Sequence, residues 1–136
     1  MITIADYWMG RDKLYPKALN PQILAAAPIT VARANLLLDA FHAVFPTAAP
    51  RHVNSGWRPP EINATTPRAS RTSLHMSGQA IDISDDDGSL DRWCTSPAGL
   101  AALERIGLWL ESPESTAGWC HVQTIPPRSG NRVFRP

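Results

Sequence analysis

Ser73-Leu74-His75-Met76-Ser77-Gly78-Gln79-Ala80-Ile81-Asp82 sets a histidine and a carboxylate on either side of a glycine turn. The run from Gln79 to Ile83 alternates, which predicts a short strand with Ala80 and Asp82 on one face. Gly78 takes backbone angles closed to other residues, so the Met-Ser-Gly turn folds His75 back toward Asp82. Ala80 is small enough to leave room for an ion beside them. Downstream, Gly118-Trp119-Cys120-His121-Val122 supplies a second imidazole. Two neutral imidazoles and one carboxylate form a zinc ligand set that leaves a coordination position open to water, and an open position implies chemistry. His75, Asp82 and His121 are therefore the expected ligands and Zn²⁺ the expected cofactor, although other divalent ions suit the same donors. Ser73 is placed to orient His75 by a hydrogen bond. The plainer reading, a surface His75 and an Asp82 that merely opens the acidic turn Asp85-Asp86-Asp87-Gly88, does not explain the ordered set.

The segments around this stretch predict helices packed on a small antiparallel sheet, an α+β arrangement in one domain spanning 1–136. Asn20 caps a helix begun by Pro21; Pro28 is expected to interrupt it and Thr30 to cap a second helix reaching Phe45. Val31, Leu37, Leu38, Phe41, Val44 and Phe45 approximate the apolar stripe of that longer helix. Val53 to Trp57 alternates as a strand, Pro59 to Ser70 reads as a proline-rich loop shaped by Asn63, and Ser96-Pro97 starts a helix that Gly107 ends. Leu108-Trp109-Leu110 and Gly118 to Thr124 then form a hairpin.

Ser73-x-His75-x-x-Gly78-x-Ala80-x-Asp82 followed by Trp119-x-His121 resembles the M15 family of zinc peptidases: D-alanyl-D-alanine carboxypeptidases, dipeptidases and phage endolysin peptidases of bacterial cell-wall degradation. Asn54-Ser55-Gly56-Trp57-Arg58 is similar to that family's strand ending in Ser-Gly-aromatic-Arg, whose arginine reaches the active site. The resemblance spans about residues 50 to 125. The N-terminal Ala5-Asp6-Tyr7-Trp8-Met9-Gly10-Arg11-Asp12 and the tail Pro126-Pro127-Arg128-Ser129-Gly130 resemble the small phage-encoded members. What this implies is a zinc metallopeptidase acting on peptidoglycan peptides that contain a D-amino acid.

Two positions depart from the family pattern: Gly118 stands where an acid commonly lies three residues before the last histidine, and Gln123 stands where some relatives carry one two residues after it. Glu111 is the substitute base, since the hairpin is expected to return it beside Gly118; Glu114 at the loop tip is the weaker candidate. Arg58 offers a fixed fork of donors for a peptide carboxylate or for the oxyanion formed at the scissile carbonyl. Trp57 and Trp119 are candidate groove residues, with core packing the commoner role for a strand tryptophan; Arg58, Ser73 and Trp119 are the expected substrate contacts. His42 and His52 read as structural or solvated. The reading of a different class is a zinc-stabilised wall-binding or virion module that kept the metal and lost the base.

Composition bounds these readings. With 136 residues, 43% hydrophobic, the chain has enough apolar content for one core. A net charge of +1 gives no bulk attraction to nucleic acid or to an anionic membrane, and Arg128, Arg132 and Arg135 form only a local cluster. Cys94 and Cys120 are too few for a disulfide framework, and Cys120 points away from His121 on its strand; whether the two cysteines meet stays open. The start lacks a basic region followed by an apolar run, and no segment is expected to span a membrane. A monomer that reaches the wall through phage lysis or on a virion fits these features. Which bond is cut, and whether from a chain end or internally, stays open.

Overall fold

The computed structural model describes residues 1–136 and arranges them around a five-stranded sheet in the order β1-β2-β4-β3-β5. β1 (Val53–Ser55), β2 (Ala80–Asp85), β4 (Gly118–Gln123) and β3 (Trp109–Glu111) pair antiparallel, while β5 (Val133–Phe134) runs parallel to β3. The α+β class therefore holds, but the sheet is mixed and not purely antiparallel. The tail accounts for the difference: it returns along the free edge of β3, where Leu110 and Ser112 donate backbone hydrogen bonds to the carbonyls of Arg132 and Phe134 at 2.8 and 2.7 Å. Those groups would otherwise be an unpaired edge.

Six helices accompany the sheet: α1 (Ile4–Trp8), α2 (Arg11–Leu14), α3 (Pro21–Val44), α4 (Pro60–Thr65), α5 (Ser89–Cys94) and α6 (Pro97–Ile106). Asn20 caps α3 as expected, its Oδ1 accepting from Ile23 N at 2.8 Å. The expected break at Pro28 does not occur, and one helix of 24 residues runs through it. A mid-helix proline costs about 3 kcal/mol. Ala27, Val31, Ala34, Leu37, Leu38 and Phe41 all bury one face of this helix, and burial at about 1.5–3 kcal/mol per large side chain outweighs that cost. Thr30 is consequently mid-helix and caps nothing; its hydroxyl donates to the Gly78 carbonyl at 2.7 Å, tying α3 to the turn behind His75. Val44 and Phe45 fall outside the apolar stripe, 56% and 46% exposed.

Contrary to the expectation that no segment is long enough, α3 has the length and apolar character to cross a membrane. Its inner face forms part of the core. One further expectation is corrected. The segment after Pro59 is not simply a loop, because Pro59 and Pro60 pre-set the N-terminal turn of α4; Asn63 does hold the segment, donating from Nδ2 to the Ser70 carbonyl at 2.9 Å. The acidic turn after β2 leads into α5, because both Asp85 carboxylate oxygens accept backbone hydrogen bonds, from Leu90 N at 3.0 Å and Asp91 N at 2.9 Å. α6 begins at the Ser96 cap and ends at Gly107 with φ +84°, as the sequence predicts.

Alternation then divides the sheet into two faces. Ile81, Ile83, Leu110, Cys120 and Val122 join α3, α5 and α6 in one buried cluster. The opposite parity carries Asp82, His121 and Glu111.

Candidate metal centre

Asp82 and His121 are direct cross-strand partners in β2 and β4. Ser55 in β1 pairs with Asp82, and Phe134 in β5 pairs with Glu111. One row therefore crosses the sheet: Ser55, Asp82, His121, Glu111, Phe134. His75 reaches this row from the turn before β2, where Gly78 holds φ +75° against α3 and a Cβ would lie 3.3 Å from the Ile23 carbonyl oxygen. Donor atoms of His75, Asp82 and His121 all lie within 4.8 Å of one another, a group able to hold a metal ion.

Asp82 Oδ1 is 3.3 Å from His75 Nε2 and 2.7 Å from His121 Nδ1. His75 Nδ1 lies 2.8 Å from the Gly56 carbonyl oxygen, which can only accept, so the proton sits on Nδ1 and Nε2 presents a lone pair. His75 is 1% exposed and its Nε2 has no hydrogen-bond partner. A lone pair and a carboxylate oxygen facing each other in a buried site are a repulsive pair unless a cation or proton lies between them. The donors fit a zinc ion: two imidazoles and a carboxylate, one imidazole fixed by a backbone carbonyl.

For His75 and Asp82 the electrostatics agree with that reading. Burial holds the His75 imidazole below its usual pKa, which keeps it neutral. For Asp82, burial pushes the pKa up, but the two histidines outweigh it and hold the carboxyl well below the ordinary range. Burial pulls His121 down, and its hydrogen bond and attraction to Asp82 reverse this, leaving it raised. The carboxylate thus stays charged and available as a ligand.

No known family profile, curated protein or solved structure matches this chain. The geometry must therefore carry the reading.

Glu111 lies in this centre, with Oε2 3.8 Å from His121 Nδ1. The hairpin register differs by three residues from the expected one: Leu110 pairs with Val122, which sets Glu111 opposite His121 and not beside Gly118. Burial raises the Glu111 pKa, and the charge on Asp82 adds to this against the pull of His121. Gly118 adopts φ +97°, and a Cβ built on it meets nothing within 4 Å. Glu114 is 78% exposed and pairs with Arg135 across 3.5 Å of open surface.

Arg58 follows β1 and is 8% exposed. Its backbone N donates to the His75 carbonyl at 3.1 Å, and its Nη2 to Ser73 Oγ at 3.4 Å. Ser73 Oγ also accepts from His75 N at 3.3 Å, so Ser73 acts on the His75 backbone, while Gly56 orients the ring. The hydrogen bond expected between Ser73 and His75 thus falls on the backbone of His75 and not on its ring. Trp57 is fully buried in the core, its Nε1 donating to the Met76 carbonyl at 3.0 Å. Trp119 is half-buried, two residues before His121 on the same strand face.

Two supporting residues had no clear signal in the sequence. Gly56 is one: a Cβ there would come within 1.9 Å of the Tyr7 carbonyl oxygen, and this close approach of α1 and β1 sets the carbonyl that grips His75. Phe134 is the other, its ring 6.4 Å from that of His121. The motif Ser55-Gly56-Trp57 hinted at the first, whereas the tail gave no hint of the second.

Proposed function

We propose that the chain is a zinc-dependent peptidase acting on bacterial cell-wall peptides. The observation that carries this is the lone pair of His75 Nε2 aimed at Asp82 Oδ1 from 3.3 Å, with His121 Nδ1 at 2.7 Å from the same oxygen and Glu111 alongside. A zinc ion held by these residues supplies Lewis acidity toward water and a peptide carbonyl.

Glu111 takes the proton from the attacking water and hands it to the leaving amide nitrogen. Its raised pKa suits both steps, because a base poised nearer neutrality also serves as the acid. Arg58, buried and lightly hydrogen-bonded, donates to the carbonyl oxygen as it gains negative charge. Ser73 fixes Arg58 and the backbone of His75 together, and Trp119 offers an aromatic surface for the substrate.

The substrate class, a stem peptide or cross-bridge of peptidoglycan containing a D-amino acid, comes from the resemblance of the motifs to M15 peptidases, as does action at the wall by a phage-encoded protein. The test is digestion of purified cell walls by the zinc-loaded protein with mass analysis of the products. New peptide termini support the reading; intact muropeptides at stoichiometric zinc overturn it. Binding to walls without cleavage, unaffected by Glu111→Ala, would instead mark a zinc-stabilised wall-binding or virion module.

A further inference from the structure

We propose that a cavity between the C-terminal end of α3 and α5 is a sugar-binding site for a neutral pyranose ring, and that it holds the glycan strand of the cell wall while the metal centre acts on the peptide. That the sugar belongs to the wall rests on the peptidase reading; the chemistry of the cavity stands apart from it. The cavity measures about 410 Å³, within the range of small-molecule sites. Phe45, Ala48 and Trp93 give it an apolar wall, and Asp87, Ser89 and Arg92 a polar one. Trp93 belongs to the buried cluster on the helical side of the sheet, so the site lies away from the face that carries Asp82 and His121.

Phe45 ends α3 outside its apolar stripe and stays half-exposed. Its ring is nonetheless backed by others: the centroids of Phe45 and Phe41 lie 5.3 Å apart, and those of Phe41 and Trp93 5.7 Å. An aromatic face supported in this way is a fixed platform for the C–H face of a ring. The polar groups are fixed by the turn that leads into α5. Asp87 Oδ1 accepts from Ser89 N at 3.0 Å, which leaves Oδ2 to accept from a ligand. Arg92 Nη1 donates to the Asp87 carbonyl at 2.8 Å, which leaves Nε and Nη2 to donate. The two side chains do not pair with each other, since every ion pair of the chain within 4.0 Å lies elsewhere. Opposite charges on one wall decide the ligand class. An anion would meet the Asp87 carboxylate and a cation the Arg92 guanidinium, while a wholly apolar guest would strip water from both without replacing its hydrogen bonds. A pyranose suits every surface: its C–H face lies on Phe45, and its hydroxyls both donate and accept, so neighbouring hydroxyls serve Asp87 and Arg92 together. Peptidoglycan joins such rings into strands from which the peptides branch. A strand held here raises the effective concentration of those peptides at the metal centre without any new contact there.

The experiment titrates the β-1,4-linked trimer of N-acetylglucosamine into the zinc-loaded full chain and follows backbone amide and indole N–H shifts by NMR. Saturable shifts are expected at Ser89, Arg92 and the Trp93 indole. Phe45→Leu, which keeps the apolar bulk and loses the aromatic face, and Arg92→Gln should each weaken binding at least about fivefold, with zinc content and far-UV circular dichroism unchanged. No saturable binding, a weakening of less than about fivefold in either variant, or tighter binding of decanoate at the same residues overturns the proposal. Trimer binding by a chain that leaves wall peptides intact refutes the peptidase reading alone. Release of peptides from walls by a chain that binds no trimer refutes the sugar site alone.

Discussion

Asp82 and His121 face one another directly across β2 and β4, with Oδ1 2.7 Å from Nδ1. The same carboxylate oxygen lies 3.3 Å from His75 Nε2, so one atom brings two imidazoles together. Zinc is expected to bind at one ion per chain and to stabilise the fold. At a free concentration one hundred times Kd the gain is about 2.7 kcal/mol, or roughly 8–12 °C in midpoint for a domain of this size. His75→Ala and His121→Ala should each remove both the metal and the gain. Metal analysis and thermal unfolding with and without zinc check this.

Glu111 and Glu114 separate by environment. Glu111 sits partly buried 3.8 Å from His121, while Glu114 is 78% exposed against Arg135. Glu111→Gln should keep the zinc and lower hydrolysis of wall peptides by about 10²- to 10⁴-fold. Glu114→Ala should leave the rate within about twofold, since an exposed ion pair contributes little. Product release from purified walls, normalised to zinc content, reads both.

Gly118 answers whether an acid placed three residues before His121 could serve instead. Its φ of +97° is a conformation that side chains rarely adopt, and no neighbouring atom crowds the position. Gly118→Glu should therefore cost only backbone strain, about 1–2 kcal/mol. Its parity on β4 is that of Cys120 and opposite to His121. Introduced into Glu111→Gln, the substitution should not restore hydrolysis; recovery to within tenfold of the unmutated rate would show that this position reaches the centre after all.

Much of the candidate metal centre was legible because the residues able to hold an ion sit in short segments with local rules. The glycine turn after His75 and the alternation through Asp82 set two of them, and parity alone placed Cys120 away from His121. The hairpin was legible in kind, but its register was not. Loop length did not specify whether Glu111 would meet Gly118 or His121, and only the pairing of Leu110 with Val122 decided it. Pro28 misled because local propensity predicted a break, whereas burial along α3 governs the helix. β5 was hidden for a related reason: a two-residue strand has no periodicity of its own and forms because β3 offers an edge. Gly56 acts through its close approach to Tyr7, 49 positions away, of which the Ser55-Gly56-Trp57 motif gives only a hint.

Asp91 gives a pH dependence on the other side of the sheet. It is 5% exposed, its Oδ2 accepts from the Thr116 hydroxyl at 3.2 Å, and its Oδ1 has no partner. Burial pushes its pKa up to about 6, with the Asp85 charge adding to this against the Cys120 thiol and Thr116 hydroxyl. The folded state therefore holds this proton more tightly than the unfolded chain, whose carboxyl titrates near 3.8. Protonation stabilises the fold through this group below the unfolded value, and that contribution is lost as pH rises through about 6. At neutral pH the buried charge is uncompensated. Asp91→Asn should raise stability at pH 7 by about 1–2 kcal/mol, after allowance for solvent screening, and the gain should shrink as pH falls toward 4. Urea unfolding of both proteins across this range measures the difference, and the difference isolates Asp91 from the histidines, which titrate in both. A constant difference across the range, or a loss of stability at pH 7, would show that the Asp91 charge is compensated in the folded state.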